Sequence, residues 1–145
     1  MWCSNWFKKH TPPVQPGEQL RILAVCIFLD DRFVLERIGN LYGWRLCFSS
    51  SPNDAFRLAS QSDFDLILCD RNQPGYPWRE VMDGLAASSP RSCIILTSPK
   101  KDDYLWWDVL NHRGFDVLIR PLREEHVLRM IDAAILFLSP AVICS

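Results

Sequence analysis

Asp70, Thr97 and Arg120 are the residues of this chain whose types and placing could do chemistry together. Asp70 closes the run Asp65-Leu66-Ile67-Leu68-Cys69 and leads into Arg71-Asn72-Gln73-Pro74-Gly75. Thr97 closes Cys93-Ile94-Ile95-Leu96, and Arg120 follows Asp116-Val117-Leu118-Ile119 and precedes Pro121. Continuous apolar runs of this kind read as parallel strands buried on both faces, and open α/β sheets carry their sites beyond the strand ends. A carboxylate, a hydroxyl and a cation facing one shallow pocket there can manage a phosphoryl group. The carboxylate is the nucleophile, the hydroxyl donates to a phosphoryl oxygen, and the cation offsets charge that would repel a phosphodonor. Each residue also has a plain structural reading. Asp70 caps the following turn, Thr97 bonds a neighbouring backbone group, or Arg120 pairs with Asp70 and holds the site shut.

The elements that must position these residues alternate strand and helix. The pattern predicts strands over Arg21 to Ile27, Trp44 to Ser49, Leu66 to Cys69, Cys93 to Leu96 and Asp116 to Ile119. Helices are predicted over about Asp30 to Tyr42, with Gly43 as the stop, and from the Ser-Ser-Pro-Asn cap to Ser62. Three more are predicted over about Arg79 to Ala87, Asp102 to His112 and Glu124 to Leu138. The fold class is therefore α/β, a five-stranded doubly wound parallel sheet in a single domain over residues 20–138. Residues 1–19, with Thr11-Pro12-Pro13-Val14-Gln15-Pro16-Gly17, read as an extension or linker, and 139–145 as a tail.

Composition narrows the function. Sixteen basic and 17 acidic residues give a formal net charge of −1, which supplies no electrostatic footprint for nucleic acid. The longest apolar runs fall far short of the roughly 20 residues a membrane span needs, and the N-terminus lacks the order of a signal peptide. Six cysteines without paired spacing read as reduced thiols in a cytoplasmic protein, with no support for a zinc site and little for a Cys26–Cys69 redox pair.

From about Leu20 to Leu138 the chain resembles the receiver domains of bacterial response regulators. The resemblance is carried by Ile22-Leu23-Ala24-Val25, Asp70-Arg71-Asn72-Gln73-Pro74, Ile95-Leu96-Thr97-Ser98 and Leu118-Ile119-Arg120-Pro121 in that order and spacing. It implies a flavodoxin-like strand order 2-1-3-4-5. It also implies a phosphoacceptor role for Asp70 in a phosphorelay, a hydroxyl at Thr97 that moves toward it, and a cation at Arg120 where the family has lysine. A histidine kinase or phosphotransfer protein is the implied upstream partner, and a protein contact the implied output.

Four departures bear on those roles. Without gaps from Ile22 to Gly43, Cys26 and Ile27 stand where the family has the acidic pair that holds Mg²⁺ with the acceptor. That leaves Asp70 and the backbone carbonyl of Asn72 as a weak metal site. In a competing register the first strand continues through Phe28-Leu29 and Asp30-Asp31 become the pair; in the gapless register those acids lie in the first helical turn, where they suit the helix dipole. Arg120 presents a planar fork in place of a compact ammonium. Val117 stands where a rotamer-switching aromatic is common in the family, and a β-branched side chain cannot make that swing. The Arg71–Trp78 loop carries Pro74 and Pro77 and bulky aromatics, which stiffen it.

Tyr104, Trp106 and Trp107 supply more aromatic surface than one inward stripe of the fourth helix can bury. They are candidates for a partner or homodimer surface, or for packing against the N-terminal extension. The greasy stretch Ala133 to Cys144 could cover a sheet edge or meet a second subunit. Two functions remain in contention: an atypical stand-alone receiver that takes phosphate on Asp70, and a pseudo-receiver that is not phosphorylated and works only as a binding or dimerisation module. An open Asp70 pocket favours the first, and an Arg120 bridge across it the second. An enzyme or flavin-binding domain lacks the Gly-rich loop it needs after strand one, so no catalytic turnover is expected.

Overall fold

The computed structural model describes residues 19–138. Five parallel strands form one sheet: β1 (Arg21–Val25), β2 (Arg45–Ser49), β3 (Leu66–Asp70), β4 (Cys93–Ser98) and β5 (Asp116–Ile119). They lie in the order β2-β1-β3-β4-β5, as the resemblance implied. Five helices alternate with them: α1 (Leu29–Tyr42), α2 (Pro52–Gln61), α3 (Trp78–Ser88), α4 (Asp103–Asn111) and α5 (Glu124–Leu138).

The pleat divides each strand between two cores, because successive side chains leave a strand on opposite faces. On one face Ile22, Ala24, Leu66, Leu68, Ile95 and Leu118 meet α1 and α5 through Leu35, Ile38, Leu128, Ile131 and Ile135. On the other, Leu23, Val25, Ile67, Cys69, Ile94, Leu96 and Val117 meet α2, α3 and α4 through Ala55, Val81, Met82, Leu85, Leu105 and Val109. The helix boundaries have local causes. Ser51 accepts from the Asp54 N–H at 3.2 Å and Pro52 follows it, fixing the start of α2. Asp102 caps α4 by accepting from the Leu105 N–H at 2.8 Å, and Gly43 ends α1 at φ 72°.

Predicted strand ends shift by up to two residues, with β3 and β4 running on to Asp70 and Ser98; at β1 the shift has a local cause. β1 stops at Val25 rather than Ile27, because Cys26 adopts φ 55° and leaves the extended ladder. Its N–H still donates to the Ser49 carbonyl at 2.8 Å, so the turn begins on the last rung of the sheet. α1 then starts at Leu29 with Asp30 and Asp31 in its first turn, which settles the register on Cys26 and Ile27. None of the described helices is long and apolar enough to cross a membrane.

Candidate functional site

The ladder itself brings the predicted residues together. Asp70 is the last residue of β3 and sits opposite Thr97 of β4, while Ser98 pairs with Ile119, placing Arg120 one step past the end of β5. The Arg120 backbone N–H donates to the Ser98 carbonyl at 2.8 Å, which fixes where its side chain starts. Both Asp70 and Thr97 are fully buried.

Every oxygen of the Asp70 carboxylate is engaged. Thr97 Oγ1 donates to Oδ1 at 2.7 Å, the Asn72 N–H donates to Oδ2 at 3.0 Å, and Arg120 Nε lies 2.7 Å from Oδ1. The Nε–H of Arg120 is not aimed along that line, and Nε is left without a hydrogen-bond acceptor. The pair is therefore held by charge and contact rather than by a well-directed fork. Above it the guanidinium packs on the Phe28 ring, 3.8 Å from the centroid, so the cation is enclosed between a carboxylate and an aromatic face. Arg120 thus bridges the pocket, and Asp70 also caps its own turn through Asn72. Thr97 does not spend its hydroxyl on the backbone.

Two further residues complete this arrangement. Asp31 is buried, and its Oδ1 accepts the Leu122 N–H at 2.8 Å, tying the first turn of α1 to the loop that carries Arg120. Sequence reading placed Asp31 as a dipole partner or, in the competing register, as half of the acidic pair; an acid directly after the exposed Asp30 gives no sign of its long-range acceptor role. Gln73, also buried, donates through Nε2 to the Asp70 carbonyl and touches Cys69 Sγ at 3.3 Å. It pins the Arg71–Pro77 loop beneath the strand end, and Tyr76 ties the same loop to Asn53 at 2.9 Å.

The positions expected to hold a metal offer it little. Mg²⁺ takes hard oxygen ligands in octahedral geometry, usually with one or two carboxylates. Here Ile27 contributes no donor, and burial, followed by the charge of Asp70, pushes the Cys26 thiol up and keeps it protonated. The single carboxylate already carries a guanidinium and two hydrogen bonds. With Cys26 and Ile27 in place of acids and the Asp70 carboxylate already bonded, the donors do not fit Mg²⁺; nor could any group of three His, Cys, Asp or Glu side chains among the described residues hold a metal ion. Burial also raises the Cys69 thiol and holds Cys93 up to about 12, which makes both poor nucleophiles. Cys26, Cys47, Cys69 and Cys93 are all free thiols.

Away from Asp70, Val117 is buried against Leu96 in the sheet, where no aromatic rotamer can report on the site. On α4, Leu105 and Val109 face the core, and Tyr104 (89% exposed), Trp107 (60%) and Trp106 stand at the surface. Trp106 and Trp107 meet edge to face at 5.4 Å. The N-terminal extension and the residues past Leu138, each considered as cover for this or another surface, lie outside the described residues. A groove of about 380 Å³ runs between β5 and α5, lined by Lys101, Ile119, His126, Arg129, Met130 and Ala133 among others.

No protein-family model matches the sequence, and no curated protein matches it. Solved structures do match the fold. The chemotaxis response regulator CheY4 of Vibrio cholerae superposes with a TM-score of 0.73 at 16% identity, over 81% of this chain and 99% of that one. The receiver domain of the sensor histidine kinase PA1611 from Pseudomonas aeruginosa, solved with a magnesium ion coordinated in its active-site cleft, gives 0.70 at 21% identity, over 81% and 98%. A CheY-like receiver domain protein from Methanospirillum hungatei gives 0.70 at 17%, over 83% and 97%. The chain has the CheY-like receiver fold.

Proposed function

We propose that this chain, which has the receiver fold of two-component response regulators, is a pseudo-receiver: a signalling module that docks other proteins and takes no phosphoryl group on Asp70. The observation that carries the reading is the Arg120 bridge. A phosphodonor needs an approach to a carboxylate oxygen, and Asp70 is fully buried, with Oδ1 held by Arg120 and Thr97 and Oδ2 by the Asn72 N–H. Phosphoryl transfer is catalysed almost entirely by positioning and electrostatics, with a metal neutralising the charge that develops. Cys26 and Ile27 remove that contribution, so the reading assigns no Mg²⁺ and no catalytic turnover to this site.

The bridge also gives the fold one fixed state. In receivers the hydroxyl at the Thr97 position approaches the acceptor on activation; here it already rests on Asp70, and Val117 cannot relay a change. Output then comes from a permanent surface. The exposed aromatics Tyr104, Trp106 and Trp107 on α4 form the surface best suited to a protein partner or a second copy. A histidine kinase is unnecessary upstream, and a cytoplasmic downstream protein is the expected partner.

Acetyl phosphate with Mg²⁺ tests the reading by intact mass. The expected spectrum is unchanged and identical to that of Asp70→Ala apart from the substitution itself; a phosphoryl adduct on the natural chain that is absent in the variant overturns it. Capture of a partner by the natural chain should be weakened in Trp107→Ala without loss of folding.

A further inference from the structure

A second apolar surface lies at the end of the sheet remote from Asp70. Leu41 (56% exposed), Leu136 (53%) and Phe137 (58%) stand there, the first in the last turn of α1 and the others in the last turn of α5. α1 returns the chain from the end of β1 to the start of β2. α5 packs on the same face of the sheet, and its Phe137 meets Phe115, just ahead of β5, with ring centroids 5.2 Å apart. Both last turns therefore lie where the strands begin. The core side of each turn is filled by a neighbour in sequence, Tyr42 on α1 and Ile135 on α5, which leaves the three apolar side chains at the surface.

The chain enters the fold at this same end. Leu20 is buried in the core under α1 and α5, together with Tyr42, Trp44, Ala134 and Ile135, and its carbonyl accepts the Arg45 N–H at 2.8 Å. Residues ahead of Leu20 thus start beside the exposed patch, on the face of the sheet opposite α4. Thr11 to Glu18, with three prolines among eight residues, can span about 25 Å, more than the roughly 21 Å length of α1. Beyond that tether stand Trp2, Trp6 and Phe7, followed by Lys8 and Lys9. Each such aromatic side chain has about 150–250 Å² to bury, and tethering raises its effective concentration at the patch to about the millimolar range. Residues 139–145 also start at this end, but Val142 and Ile143 are their only large apolar side chains. Trp44 adds an independent sign of an incoming partner. Its indole Nε1–H is buried in this core and has no acceptor among the described residues, a costly state that a carbonyl of an arriving segment relieves.

We infer that the segment Trp2 to Phe7 folds back within the same chain onto the surface made by Leu41, Leu136 and Phe137, with Lys8 and Lys9 left in water. The contact covers apolar surface at the end of the fold remote from Asp70 and leaves the aromatic face of α4 open. It goes beyond the pseudo-receiver reading and does not depend on it.

Nuclear Overhauser spectra of the full chain, with ¹³C-labelled leucine methyl groups, test the contact. Cross-peaks from the Trp2 and Trp6 indole protons to the Leu41 and Leu136 methyls are expected, with intensities relative to the diagonal that survive about tenfold dilution. The double substitution Trp6→Ala with Phe7→Ala should remove the Trp6 cross-peaks, weaken those of Trp2, and shift the Leu41 and Leu136 methyls and the Trp44 indole N–H. Leu41→Ser with Leu136→Ser, both at exposed positions, should move the Trp6 indole resonance to its random-coil position while the rest of the spectrum stays that of a folded chain. Cross-peaks to Leu105 or Leu110 of α4 instead, a contact seen only between differently labelled chains in a mixed sample, no cross-peaks at all, or Leu41 and Leu136 methyls unmoved in the Trp6/Phe7 variant would each overturn the assignment. None of these outcomes reports on acetyl phosphate labelling of Asp70, so a failure here and a failure of the pseudo-receiver reading are read separately.

Discussion

Replacing Arg120 by methionine keeps an unbranched side chain against Phe28 and removes the charge that faces Asp70 and stacks on the Phe28 ring. The carboxylate left behind is fully buried, and removing one partner of a buried ion pair typically costs about 3–5 kcal/mol. Two features reduce the figure for this pair. Thr97 and the Asn72 N–H still donate to the carboxylate, and the Arg120 Nε–H was not well aimed to begin with. A loss of about 2–4 kcal/mol is the resulting expectation, of which the cation–π contact with Phe28 accounts for about 0.5–2. Urea unfolding of Arg120→Met, Asp70→Asn and the double variant measures it, with the melting temperature of Arg120→Met falling by roughly 10 °C. The double variant should be less destabilised than the sum of the singles by at least about 1 kcal/mol, because the second change removes a charge already deprived of its partner. A cost for Arg120→Met below about 0.5 kcal/mol, or strict additivity, would refute the claim that the bridge closes the site.

Other parts of the fold give three more expected outcomes. Alkylation with peptide mapping at pH 8 should modify Cys26 and Cys47 before Cys69 and Cys93, since burial raises the latter pair far above the working pH. Equal labelling of all four would mean that the sheet opens readily. Gly114→Ala should cost about 1–3 kcal/mol in urea unfolding, because a Cβ there would overlap Val109 Cγ1 and come within 2.5 Å of Met82 Cε. Finally, the hydrogen bond from Arg79 lowers the Asp108 carboxyl below its ordinary value. A depressed acid stabilises the fold above the unfolded carboxyl's range near pH 4, and that gain fades as pH falls through the lower folded value. Arg79→Gln should therefore lose less than about 1 kcal/mol at pH 6, after allowance for solvent screening, and nothing near pH 2.

Much of this site was legible in the sequence because a strand end shows itself as the first polar residue after an apolar run. Asp70, Thr97 and Arg120 each close such a run, and parallel pairing does the rest: the ladder sets Asp70 opposite Thr97 and carries Arg120 to the same edge. The features that escaped are set by geometry rather than pattern. Cys26 continues the apolar run in composition, so its left-handed backbone, and with it the early end of β1, leaves no trace in hydrophobicity. Asp31 looks like any acid in a first turn, and its bond to the Leu122 N–H spans 91 residues of chain. Gln73 sits in a loop of polar residues, and only folding turns its amide beneath the Asp70 carbonyl. The choice between open and closed pocket depended on one side-chain direction, that of Arg120, and no spacing rule contains it.

The central claim is that Asp70 is inaccessible to a phosphoryl group, and ¹⁹F NMR with beryllofluoride and Mg²⁺ puts it to the most direct test. Beryllofluoride seeks the same carboxylate oxygen as a phosphodonor. The account predicts only free fluoride species with the natural chain at saturating Mg²⁺, unchanged in Asp70→Asn. Stoichiometric bound fluorine resonances on the natural chain, lost in Asp70→Asn, would contradict it.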